Sequence, residues 1–128
     1  MAYTILYVED NIDNQRLVQR ALQAHGYQFF GATTGLEGVQ MATDLRPDAI
    51  LLDINLPDID GYEVARRLRK SKVPRLLYVP IVAITANALK GDAEKALEAG
   101  CDVYIAKPIN IRELWARLEA LLVDSPEG

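Results

Sequence analysis

Five short apolar runs, at residues 4–8, 27–31, 49–53, 81–85 and 103–106, constrain this 128-residue chain more than any other feature. Several are apolar at successive positions, as in Ala49-Ile50-Leu51-Leu52 and Ile81-Val82-Ala83-Ile84. A strand that is apolar on both faces must be covered on both, which is the condition of a parallel sheet wrapped by helices. Amphipathic segments fill the intervals. Leu17, Val18, Ala21 and Leu22 form one apolar stripe, and Ile111, Leu114, Trp115, Leu118 and Leu122 form another at helical spacing. The second stripe reads as core, not as a ligand box.

Capping signals cut the chain at the same places. Thr34, Asp60 and Asn110 each stand three residues before a glutamate, the pattern of a helix N-terminus. Gly26 and Gly100 stand where helix C-terminal glycines belong. Five strand–helix units without a repeat predict one doubly wound α/β domain over residues 1–123, with five parallel strands and five helices in three layers. Residues 124–128 read as a frayed C-terminal tail.

Composition removes several function classes. A net charge of -4 leaves no basic stripe for nucleic acid. The one basic cluster, Arg66 to Lys72, is interleaved with apolar residues and reads as the solvated end of a helix. The longest uncharged stretch, 76–89, is too short to span a bilayer and is interrupted by Pro80. Nothing at the start resembles a signal peptide, so the chain is expected to be cytoplasmic, without nucleic-acid or membrane partners. The single cysteine, Cys101, excludes an internal disulfide and reads as a small, half-buried residue beside a strand. His25, the only histidine, precedes Gly26 and reads as a partner of a helix C-terminus.

In a doubly wound sheet, ligands bind beyond the carboxyl ends of the strands. Glu9-Asp10, Asp53, Thr85 and Lys107 all fall at such ends. If their strands are neighbours, three carboxylates and one ammonium converge. Carboxylates packed that closely repel each other and need a cation or a proton. The arrangement reads as a site that binds a hard divalent metal and handles a phosphoryl group.

Glu9-Asp10-Asn11, Asp53 with Pro57 and Gly61 at fixed offsets, Thr85-Ala86 and Lys107-Pro108 together resemble the receiver domain of two-component response regulators. The likeness runs from about residue 4 to residue 122 and is to the stand-alone, CheY-like type. It implies the flavodoxin-like strand order 2-1-3-4-5 and makes Asp53 the phosphoacceptor. Mg²⁺ would be held by Glu9, Asp10, Asp53 and the Asn55 backbone, as suits a cation that prefers octahedral oxygen ligands and keeps several waters. Lys107, Thr85 and the backbone of Asn55 and Ala86 would meet the phosphoryl oxygens. Thr85 and Tyr104 would form the switch, and the bond before Pro108 would be cis. The partners implied are a histidine kinase or histidine phosphotransfer protein as donor. A protein target would be met through the fourth helix, fifth strand and fifth helix. No turnover of external substrates is implied, only metal-dependent self-phosphorylation and self-dephosphorylation.

Each residue also has a plainer reading. Asp53 alone could be a turn aspartate, Lys107 a surface lysine, Tyr104 an edge-strand tyrosine with its hydroxyl in water, and Asn55 a turn former. Asp60 reads as a helix cap and Asp58 as a solvated loop charge. Three rival functions are weaker. A phosphohydrolase of similar chemistry would need an acid at position 55, where Asn55 stands. A flavin module would need a phosphate-binding loop after the first strand, where Glu9-Asp10 would repel the phosphate. A pseudo-receiver would not keep Asp10, Asp53, Thr85 and Lys107 together. The chain could also be a receiver cut from a larger regulator or hybrid kinase.

Overall fold

A computed structural model describes residues 2–86 and 91–123. The expected tail, 124–128, lies outside the described residues. Strands β1 (Thr4–Val8), β2 (Gln28–Ala32), β3 (Ala49–Asp53), β4 (Ile81–Thr85) and β5 (Val103–Ala106) pair in parallel in the order β2-β1-β3-β4-β5. This is the doubly wound order the resemblance implies. β3 and β4 are buried at every position, as their unbroken apolar runs require. Only β2 departs from the sequence reading, by one residue. Its burial alternates, as an edge strand's does, so neither end is marked by a change in hydrophobicity.

Side-chain alternation splits the core in two. Leu6, Val8, Ile50, Leu52, Ile81 and Ala83 pack with residues of α2 (Gly35–Leu45), α3 (Gly61–Arg69), α4 (Pro74–Tyr78) and α5 (Asp92–Ala99). Ile5, Tyr7, Leu51, Val82, Ile84 and Ile105 pack with α1 (Ile12–Ala24) and α6 (Ile111–Val123). The α6 stripe is core as expected, with Leu114, Leu118 and Leu122 buried. Within α1, Val18 and Leu22 are buried, whereas Leu17 is 52% exposed and leaves the stripe.

The predicted caps form. Thr34 Oγ1 accepts from the Glu37 amide, Asp60 Oδ1 from the Glu63 amide and Asn110 Oδ1 from the Glu113 amide. Gly26 and Gly100 sit at φ 87° and 116°, a conformation that favours glycine after a helix. The sixth helix, α4, was not expected. Five residues starting at a proline are too short to show a helical period, and they lie in a stretch with few charges.

At the amino ends of the strands α1 is fastened to α6. Trp115 Nε1 donates to the Ala21 carbonyl at 2.9 Å. The His25 ring stacks on Trp115 with centroids 4.9 Å apart, and its Nε2 lies 2.7 Å from Glu119 Oε2. His25 is the C-cap residue of α1, but its ring engages α6.

Candidate functional site

Parallel register brings the carboxyl ends together. Val8 pairs with Leu52, Asp53 with Ile84, and Thr85 with Ala106, so Glu9, Asp53, Thr85 and Lys107 end four adjacent strands along one edge. Asp53 is 1% exposed. Its Oδ2 lies 2.6 Å from Lys107 Nζ and its Oδ1 accepts from the Asn55 amide at 2.9 Å. Glu9, equally buried, accepts from the Tyr7 hydroxyl at 2.9 Å and the Asn11 amide at 3.1 Å, and lies 3.5 Å from Lys107 Nζ. Asp10 is exposed beside them. One carboxylate oxygen each from Glu9, Asp10 and Asp53 fall within 4.8 Å of one another. Three hard oxygen donors that close, with an open outer side at Asp10, fit a hydrated divalent cation.

Charge and burial tune the neighbours. Burial, reinforced by the Glu9 and Asp53 charges and the Glu9 hydrogen bond, pushes the Tyr7 phenol far above the tyrosine range. Lys107 is subject to opposed effects. Burial would lower its pKa, but the Asp53 hydrogen bond and the charges of Asp53 and Glu9 outweigh this and raise it. The ammonium therefore stays charged at neutral pH, next to a buried carboxylate that needs a counter-charge.

The other sequence-predicted residues are arranged less tightly. Thr85 is 2% exposed, its carbonyl accepts from the Lys107 amide, and its Oγ1 donates to Asp92 Oδ2 at 3.3 Å. Asn55 and Ala86 are exposed. Tyr104 is 39% exposed and pairs with Ala83 across β4 and β5. The Lys107–Pro108 bond is cis, as the resemblance implies. Gly61 lets the loop after Asp53 close on itself: a Cβ there would come within 2.5 Å of the Asp53 carbonyl oxygen.

Residues 5–119 match the response regulator receiver domain family. The chain belongs to that family. The receiver domain is 37% identical to the polar-differentiation response regulator DivK of Brucella anthropi, over 98% of this chain and all of that protein. It is 40% identical to the receiver domain of a sensor histidine kinase of Pseudomonas aeruginosa, solved with a magnesium ion coordinated in the active site cleft. That structure superposes at a TM-score of 0.89 over 97% of this chain and 100% of its own. The chemotaxis protein CheY4 of Vibrio cholerae superposes at 0.88 with 26% identity, over 95% of this chain and all of that one.

Several residues of the receiver site have no role in the sequence reading. Tyr7 stands two residues before Glu9, hence on the same side of β1, and that spacing was the available signal. Asn14 reaches Glu9 Oε1 at 3.4 Å, and its own amide is accepted by Asn11, the α1 cap. Asp58 is exposed in its loop, as a solvated charge should be, but its two oxygens also accept the Gly35 and Leu36 amides at 2.7 and 2.8 Å, closing the α2 N-terminus. Partial loss of hydration opposes, but these amide bonds hold its carboxyl below the usual range. The partners lie 22 and 23 positions away, so nothing local announces the contact. Cys101 is buried at 5% exposure, not half-buried as expected, because it packs into the core beside Arg69 and α5, and burial pushes its thiol up to about 12.

Proposed function

We propose that this receiver domain accepts a phosphoryl group on Asp53 from the phosphohistidine of a histidine kinase or histidine phosphotransfer protein. One observation carries the reading: a buried carboxylate ends β3 with one oxygen on Lys107 and the other on the Asn55 amide, inside a carboxylate cluster. An Asp53 oxygen attacks phosphorus, the donor's P–N bond breaks, and the electron pair stays on the imidazole nitrogen. The product is an acyl phosphate. Lys107 shifts its charge from Asp53 Oδ2 to an oxygen of the arriving group, while Thr85 Oγ1 and the backbone amides of Asn55 and Ala86 take others. Glu9, Asp10, Asp53 and the Asn55 carbonyl would hold Mg²⁺, which neutralises charge on the phosphoryl group when bound. His25 is no donor, since it sits at the opposite edge of the sheet against Glu119.

Transmission uses the other face. Thr85 and Tyr104 project to the same side of adjacent strands, and their cross-strand neighbours, Ala106 and Ala83, are small. Withdrawal of Thr85 toward the phosphoryl group leaves room for the Tyr104 ring to turn in, changing the α5–β5–α6 face that a protein target reads. Those are the fourth helix, fifth strand and fifth helix of the sequence reading, renumbered by the extra α4. External substrates are not turned over, because Asn55 cannot act as a general acid. No described helix is long and apolar enough to cross a membrane, and the reading places the chain in the cytoplasm with its donor. Acetyl phosphate with Mg²⁺ is expected to add one base-labile phosphoryl group, mapped by mass spectrometry to the peptide containing Asp53. An adduct elsewhere, or one undiminished in Asp53→Asn, overturns the proposal.

A further inference from the structure

Asp92 opens α5 and stands outside the carboxylate cluster, yet the Thr85 hydroxyl is bonded to it. Thr85 Oγ1 donates to Asp92 Oδ2 at 3.3 Å. The Tyr62 phenol, from α3, faces the same carboxylate; burial first, and then the Asp92 charge, raise its pKa. A threonine hydroxyl has one hydrogen to give. While Asp92 holds it, no phosphoryl oxygen can receive it. Strong hydroxyl–carboxylate bonds close to about 2.5–2.7 Å, so 3.3 Å marks a hold weak enough to be exchanged. Asp92 is only half-buried, so water can reach its carboxylate when Thr85 leaves and it is not stranded without a partner. The helix start has no anchor of its own type, because its cap residue is Gly91 at φ 83° with no side-chain bond to the first turn.

We infer that Asp92 is a positioning residue whose carboxylate keeps the Thr85 hydroxyl in its resting place, competes with the phosphoryl oxygen for that single hydrogen, and releases the first turn of α5 when it loses. The inference rests on Asp53 being the acceptor. It gives α5 a direct mechanical link to the phosphoryl group, separate from the Tyr104 ring. Loss of the Thr85 bond changes what the amino end of α5 is tied to before any target arrives.

The test uses beryllofluoride with Mg²⁺ as a phosphoryl mimic, titrated into the full chain and followed by amide spectra. Five proteins are compared: wild type, Asp92→Ala, Asp92→Asn, Thr85→Ala and the Thr85→Ala/Asp92→Ala double variant. Asp92→Ala is expected to tighten mimic binding about fivefold, the size of one modest hydrogen bond. Asp92→Asn, an acceptor without charge, should fall between it and wild type. With Thr85 already replaced by alanine, removing Asp92 should change affinity by less than about twofold, since the two residues act as one unit. Loss of a negative charge near an anion would tighten binding equally in both backgrounds. Damage to α5 alone would lower thermal stability without any dependence on Thr85. Either result overturns the inference. Wild-type protein that fails to bind the mimic overturns the acceptor reading and this one together, whereas binding indifferent to Asp92 overturns this one alone.

Discussion

The two faces of the sheet meet the same edge with opposite construction. On the α1/α6 side, Tyr7, Glu9, Asp53 and Lys107 are bound by bonds of 2.6 to 3.5 Å, and Asn11 and Asn110 cap the two helices. Buried charge is tolerable there only because each carboxylate has partners on both oxygens. On the α2/α3/α5 side, the same edge carries a long Thr85–Asp92 hydroxyl bond, a half-exposed tyrosine opposite Ala83, and a helix start without a side-chain cap. Chemistry needs groups held still, because small displacements of catalytic groups weaken a transition state. Transmission needs an element with two nearly equal arrangements. The sheet separates the demands by placing them on opposite sides of the same strands.

Four experiments bear on that contrast. The largest effect belongs to the held side: Lys107→Met should slow labelling by acetyl phosphate about 100-fold, as for loss of one charge-stabilising donor, read by intact mass over time. A loss under about threefold would show that the ammonium only balances the resting carboxylates. Mg²⁺ comes next. At about ten times its Kd it should stabilise the fold by about 1.4 kcal/mol through linkage, and Asp10→Ala should remove most of that shift in thermal unfolding. The same change should leave metal-free stability equal or slightly raised, because one member of a repelling set is gone.

Alkaline unfolding probes Tyr7. In the folded state its phenol stays protonated, whereas in the unfolded chain it releases its proton near 10. The stability it gives is fully present below about pH 10 and falls as pH rises further, by up to about 1.4 kcal/mol per pH unit. Tyr7→Phe should flatten that fall in urea titrations, leaving the losses expected of Cys101, Tyr27, Tyr62 and Lys107, whose pKa values are raised in the same sense. An unchanged slope would place the alkaline sensitivity elsewhere. The smallest effect compares helix starts. Asp60→Ala should cost about 1 kcal/mol, the usual value of a cap, and Asp92→Ala only a few tenths. Equal costs would mean that α5 is as firmly held as α3, which would remove half of the contrast.

Features that rest on a local period or a fixed spacing were legible from the sequence. Four of five strands, the three glutamate-paired caps and the residues at the strand ends all follow from patterns within a few positions of each other. Asp53, Glu9 and Lys107 stand together because strand register is set by the same apolar runs that mark the strands. What escaped depends on distance along the chain or on short length. Asp58 finds the α2 amides across more than 20 positions. α4 has no room for a period. Leu17 belongs to an apolar stripe by spacing but lies just outside the covered arc of α1. The Asp92 bond to Thr85 crosses from a strand end to the following helix, and an aspartate in a first helical turn is already explained by the dipole. Its second role is visible only in the fold.

Trp115 and His25 are the only tryptophan and the only histidine in the chain. Their rings lie stacked, with Glu119 against the imidazole, at the end of the molecule opposite the acceptor. The protein therefore carries its one indole against its one imidazole, and that pair spans α1 and α6. Its emission reads the joint between these two helices without any label. An optical trace from this corner stays blind to ionisation at the carboxylate cluster unless α6 itself shifts, so any response to a phosphoryl mimic would time the arrival of the change at the far end of the domain.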